Sequence, residues 1–113
     1  GMSLIGTVNG VAIAREGGIS LDTFIQHTNN IGAILPAEKT RLIEAIRNGD
    51  TEKTQASINS WGEGQKAVRS VAKSLGTNLV LQNAVKTVFE EAEQLGLGEQ
   101  DLSALVNVFA PTK

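Results

Sequence analysis

The residues best suited to chemistry are few. Trp61 is the single tryptophan of the 113-residue chain. Its indole is a large apolar plate with one N–H donor, and Gly62 and Gly64 beside it leave room for another group to approach. That combination suits a pocket wall or, equally, an anchor in the core. His27, the single histidine, falls at the end of a short helix with no Asp, Ser or Cys placed beside it, so it reads as a surface or capping residue rather than a catalytic base. Glu90, Glu91 and Glu93 stand at i, i+1 and i+3 of a helix, which is a solvated face more than an acid–base pair. Lys66, Arg69 and Lys73 share one helical face. A phosphate clamp is one use of such a row, and a solvated stripe beside Ala67, Val68 and Val71 is the default. The close glycines, Gly17-Gly18 and Gly62-x-Gly64, follow no strand, so no dinucleotide-binding turn is expected. With no cysteine and one histidine, disulfides, thiolate metal sites and a zinc cluster drop out. No catalytic, cofactor-binding or metal-binding residue is therefore assigned.

Composition narrows the partners. Ten basic and 12 acidic residues give a formal charge of −2. They are spread along the chain without the basic stripe that a phosphate backbone requires, so nucleic acid is not expected as a partner. No apolar run nears the ~20 residues of a membrane span, and the N-terminus lacks signal-peptide order, so a cytoplasmic protein without membrane contact is expected. Gly1-Met2 reads as a cleaved tag remnant or a native start, leaving residues 3–113 as one domain. A chain of this length buries roughly two-thirds of its unfolded surface and holds a core without staples.

These residues must be carried by helices. Leu4, Ile5, Val8, Val11 and Ala12 recur at helical spacing up to Gly17-Gly18. Ser20 caps a short second helix bearing Leu21, Phe24 and Ile25 and ending at Asn29-Asn30. Pro36 suits the first turn of a third, with Leu42, Ile43 and Ile46 as its stripe up to Asn48-Gly49. From Thr51 the pattern resumes through Ile58, Trp61, Val68, Ala72 and Leu75 to Gly76, predicting the longest helix. Gly62 and Gly64 inside it imply a kink, a break or a close approach. Asn78 caps a fifth helix running to Leu95-Gly96, and a sixth extends from about Glu99 to Pro111. Apolar residues never alternate over a strand length, so the expected fold is all-α, a bundle of about six helices.

The second half carries an ordered pattern: Ser70-Val71-Ala72-Lys73-Ser74-Leu75-Gly76, then Asn78-Leu79-Val80-Leu81, then Phe89-Glu90-Glu91-Ala92-Glu93-Gln94-Leu95-Gly96-Leu97-Gly98, then Asp101-Leu102-Ser103-Ala104-Leu105-Val106. This order resembles the end of the C-terminal domain in the 6-phosphogluconate dehydrogenase-like superfamily, specifically 3-hydroxyisobutyrate dehydrogenases, imine reductases and reductive aminases. Leu4 to Ile19 is similar to the second half of that family's interdomain helix and the turn after it. The resemblance covers nearly the whole chain and is strongest over 66–109. Arg47-Asn48-Gly49-Asp50 favours the reductive-aminase-like branch. Glu63-Gly64 stands where the dehydrogenases carry a Lys-Asp pair, a departure from a plain hydroxyacid dehydrogenase.

The resemblance implies a substrate-binding and dimerisation domain of an NAD(P)H-dependent oxidoreductase. NADP would be held by an N-terminal Rossmann domain absent from this chain, and the catalytic residue would lie before its start. The chain alone would then be inactive. It also implies a homodimer acting on a small molecule, with Trp61 and Ser60, and the neighbourhood of Ile31, turned towards substrate. The other reading is a stand-alone helical interaction module without catalytic activity.

Overall fold

The computed structural model describes residues 1–110. Six α-helices account for the fold: α1 (Met2–Glu16), α2 (Leu21–Gly32), α3 (Leu35–Arg47), α4 (Ile58–Ser74), α5 (Val80–Gln94) and α6 (Val106–Phe109), with a 3-10 turn over Leu102–Leu105 leading into α6. Among the described residues there is no β-strand, as the helical spacing implied. No described helix is long and apolar enough to cross a membrane.

Local chemistry sets most boundaries. Ser20 caps α2 by accepting the Thr23 N–H at 3.1 Å, and Asn78 accepts the Val80 N–H at 2.9 Å where α5 begins. α1, α3, α4 and α5 stop in the same way. A glycine with positive φ (Gly18, Gly49, Gly76 or Gly96) follows the helix, and the next N–H reaches back five residues, as from Thr77 to the Ala72 carbonyl at 3.1 Å. The reached-for residue is alanine every time: Ala14, Ala45, Ala72 and Ala92. This is the Schellman stop, in which a left-handed glycine lets the chain fold back on the last turn. Three of these alanines, Ala14, Ala72 and Ala92, are buried.

Two boundaries differ from the periodicity. α4 starts at Ile58, not Thr51. The segment before it is tied to residues 98–101: Asp101 N–H donates to the Thr51 carbonyl, and Ile58 N–H to that of Gln100, both at 2.9 Å, while Ser57 forms an antiparallel bridge with Asp101. Backbone groups used in that way are not available to a helix. The last helical segment likewise begins at Leu102, after an Asp101 cap, rather than at Glu99. Its expected end at Pro111 lies outside the described residues. A smaller difference is α2, which continues past Asn29-Asn30 to Gly32.

α4 and α5 form an antiparallel pair in which Gly62 faces Phe89 and Arg69 meets Asn83. The core lies at this end: Ile58, Ala92, Leu97 and Ala104 are buried, with Phe89, Leu105 and Val108 packed on them. α1 packs on α2, α2 on α3, and α3 on the 3-10 turn. In this first half only Ala14 is buried.

The two glycines of α4 separate here. The helix is continuous, and a Cβ at Gly62 would lie 3.2 Å from the Phe89 ring, whereas one at Gly64 would meet nothing within 4 Å. Gly62 therefore marks the close approach of α5. Gly64→Ala should raise stability by about 0.5–1 kcal/mol through helix propensity, while Gly62→Ala should gain nothing because the Phe89 ring must give way. Thermal melts of the two variants check this, and equal gains would refute the packing role of Gly62.

The chain is loose for its size. Its radius of gyration is 15.3 Å, against about 13 Å for a compact chain of this length. It exposes 8059 Å², where a compact monomer of this mass exposes roughly 5,900 Å². Much of the excess is apolar, including Leu4, Ile5 and Val8 of α1 at 72, 57 and 69% exposure and Ile34 and Ile43 at 67 and 66%.

Candidate functional site

Ser60 and Trp61 sit in the first turn of α4. The helix starts there because Ser57, in extended conformation, accepts the Ser60 N–H on its hydroxyl at 3.2 Å, and its carbonyl accepts the Trp61 N–H at 3.1 Å. Ile58, fully buried in the core, fixes the rotation of that turn. Trp61 is then left 43% exposed beside an exposed Ser60. The structure thus brings two of the candidate residues together. Ile31, 40% exposed, is on α2, whose main packing partners are α1 and α3, so it belongs to a different part of the bundle.

Among the described residues, no acid–base partner is hydrogen-bonded at Ser60 or Trp61. The Ser60 hydroxyl lies 3.3 Å from that of Ser57, and neither a histidine nor a carboxylate is hydrogen-bonded to it, so it has no base to make it a nucleophile. His27 is exposed on α2. Glu90 pairs with Lys86 at 3.6 Å, Lys66 with Glu63 at 3.1 Å, and Arg69 donates to Asn83 at 2.9 Å. These charges are thereby engaged across or along α4 and α5. Among the described residues no group of three or more His, Cys, Asp or Glu is placed to hold a metal ion.

The strongest electrostatic feature was not singled out from the sequence. Asp101 is 1% exposed and collects three partner residues. Its carboxylate accepts the Ser103 N–H at 3.0 Å and the Ser103 hydroxyl, lies 3.2 Å from the Arg41 guanidinium, and is hydrogen-bonded by Thr54. Burial alone pushes this carboxyl up. The hydrogen bonds from Ser103, then those from Thr54 and Arg41, outweigh it and hold the pKa down at about 2. Arg41 is bound in turn by Glu38 at 2.6 Å, and its guanidinium is held more firmly protonated by Glu38 and then Asp101. One carboxylate thus ties α3, the loop before α4 and the last helical segment together, and so positions the turn bearing Ser60 and Trp61. The available signal was Asp-x-Ser ahead of a helix, a capping pattern. The Arg41 partner is far away in sequence and left no trace there.

The described residues form an all-helical bundle with a half-exposed tryptophan in the first turn of α4. The chain belongs to the family described as the C-terminal domain of NADPH-dependent reductive aminase-like proteins, whose model matches residues 2–111. No curated protein matches the sequence significantly. Among solved structures, an imine reductase from Myxococcus stipitatus, in a variant complexed with NAD+, is 18% identical with a TM-score of 0.90, over 95% of this chain and 38% of that one. An imine reductase from Bacillus cereus BAG3X2 is 16% identical with a TM-score of 0.90, over 97% and 38%. A reductive aminase from Aspergillus terreus, complexed with NADPH4, cyclohexanone and allyl amine, is 17% identical with a TM-score of 0.84, over 94% and 37%. At such identities the likeness is one of fold. The chain spans under two-fifths of the length of these proteins. The family resemblance drawn from the Gly76, Gly96-Leu97-Gly98 and Asp101-x-Ser103 pattern holds.

Proposed function

We propose that this chain is the substrate-binding and dimerisation domain of a cytoplasmic NAD(P)H-dependent imine reductase or reductive aminase. The observation that carries the reading is the surface: roughly 2,000 Å² beyond that of a compact monomer, rich in α1 side chains, matches what a stable interface buries. The family membership and the cofactors named for the similar structures support the redox assignment. The described residues do not themselves fit a dinucleotide. The N-termini of α2 and α4 are occupied by Ser20 and Ser57, and no glycine-rich turn leads from a strand into a helix. NADP is accordingly assigned to an N-terminal Rossmann domain outside this sequence, and the catalytic residue to the part of the interdomain helix that would precede Leu4.

In this reading Trp61 and Ser60, with Ile31 as the third candidate, contribute to a pocket for a small carbonyl or imine substrate completed by the partner chain. Trp61→Ala should shift KM and substrate range in the intact enzyme. It should cost well under the ~3–5 kcal/mol of a buried aromatic, because the indole is 43% exposed. Light scattering tests the assembly directly: a mass twice the 11.9 kDa of the chain is expected, with a melting temperature that rises with concentration. A monomer mass at micromolar concentration would overturn the dimer and favour the stand-alone interaction module. Calorimetry with NADPH on this chain should show no binding.

A further inference from the structure

Away from Trp61, α4 and α5 enclose a groove of about 310 Å³. Six charged side chains line it, three of each sign: Glu63, Glu90 and Glu93, and Lys66, Arg69 and Lys86. Their order along the groove is not mixed. The antiparallel contacts Gly62–Phe89 and Arg69–Asn83 set the register, which puts Glu93 level with Asn59, Glu63 and Glu90 beside Phe89, Lys66 level with Lys86, and Arg69 level with Gln82. The acidic half of the groove therefore lies toward the start of α4 and the basic half toward its end.

A solvated helix face gains from alternating signs, which pair along the helix. Sorting the signs into halves gives the face a dipole instead. Within the chain that dipole is only partly compensated. Glu63–Lys66 at 3.1 Å and Glu90–Lys86 at 3.6 Å join the halves in the middle, through exposed side chains whose ion pairs are worth little. At the outer ends, Glu93 and Arg69 form no ion pair among the described residues. Arg69 is held by Asn83 through its Nε alone.

The pattern is complementary to itself. A two-fold axis through the middle of the groove sets the partner's Glu63 and Glu90 against Lys66 and Lys86, and the partner's Glu93 against Arg69. We propose that the α4–α5 face is a docking surface for a second copy of this chain, separate from the α1 contact, so that two α1-linked pairs join groove to groove. The floor of the groove suits such a contact. Gly62 carries no side chain over the Phe89 ring, where a Cβ would lie 3.2 Å away, so the methylene stems of the partner's Lys66 and the partner's Lys86 have apolar surface to cover while their ammonium groups stay at the rim. Rim charges set the partner, the register and the encounter rate more than the affinity, so the contact is weak and depends on salt.

Sedimentation velocity at two ionic strengths separates the two contacts. At about 0.15 M NaCl, where charges are felt over roughly 8 Å, the α1 pair is expected alone; at about 0.01 M, where they are felt over roughly 30 Å, the mass should double. Without the α1 contact the same doubling would run from one chain to two, so the two readings fail separately. The triple variants Lys66→Glu/Arg69→Glu/Lys86→Glu and Glu63→Lys/Glu90→Lys/Glu93→Lys should each lose the low-salt step, their like charges face to face weakening it about 100-fold or more. An equimolar mixture of the two should regain it, with amide shifts in the 15N-labelled component confined to α4 and α5. The proposal is overturned if the parent has the same mass at both ionic strengths or if either triple variant alone keeps the step. It is overturned also if the shifts in the mixture spread beyond the groove, which would mark unspecific attraction between oppositely charged chains.

Discussion

Asp101→Ala is expected to lower stability by about 3 kcal/mol, a drop in melting temperature of roughly 10 °C or more. The substitution removes an N-cap, leaves the Ser103 N–H and hydroxyl without their acceptor in a buried position, and unhooks Arg41 of the neighbouring α3. The cost stays short of the extreme because Arg41 is 46% exposed and keeps Glu38, so no charge is stranded in the interior. Asp101→Asn, which keeps an acceptor for the cap, should cost about half as much. The acid dependence follows from the same geometry. The carboxyl titrates at about 2 in the folded chain against 3.8 ordinarily. A depressed acid stabilises the fold above its unfolded pKa and loses that contribution as pH falls through the folded one. About 2 kcal/mol should therefore disappear between pH 4 and 2. Chemical unfolding across that range should show the loss in the parent and not in Asp101→Ala. An unchanged pH profile in the variant would remove Asp101 from the role given to it.

The second large effect concerns assembly. Replacing Ile5 and Val8 together with Glu should leave the helical content and the fold of the single chain nearly unchanged, because both side chains are more than half exposed. In the proposed dimer they lie at the contact and are counted once on each side of the two-fold axis. Four buried charges in an apolar interface should weaken association by roughly 1,000-fold or more. Sedimentation equilibrium then reports a monomer at concentrations where the parent is paired. A variant that stays dimeric would move the interface away from α1.

Helix content and helix ends were readable in the chain because they are local. Ser20, Asn78, Gly76 and Gly96 act on backbone groups within five residues, and short-range spacing reports them directly. The errors came where distant segments compete for the same backbone. The polar run Thr51-Glu52-Lys53-Thr54-Gln55 continues the helical spacing, yet it begins on a Thr51 carbonyl taken by the Asp101 N–H and turns back on itself where the Thr54 hydroxyl bonds Ala56, and sequence spacing reports neither. The candidate site divides along the same line. Ser60 next to Trp61 is a matter of one helical turn, whereas the placement of Ile31 on a separate set of helices and the Arg41–Asp101 pair depend on tertiary packing.

The confinement of the core to one end of the bundle bears on how the molecule breathes. Ile58, Ala92, Leu97 and Ala104 cooperate as one unit, but α1, α2 and α3 contribute a single buried residue, Ala14, to hold themselves in place. Amide protons of α2 and α3 should exchange with solvent deuterium through partial openings far less costly than global unfolding, while those of α4 and α5 wait for the whole chain to open. Association through the first half would slow exchange there selectively, so a protection map taken at two protein concentrations would outline the contact surface residue by residue.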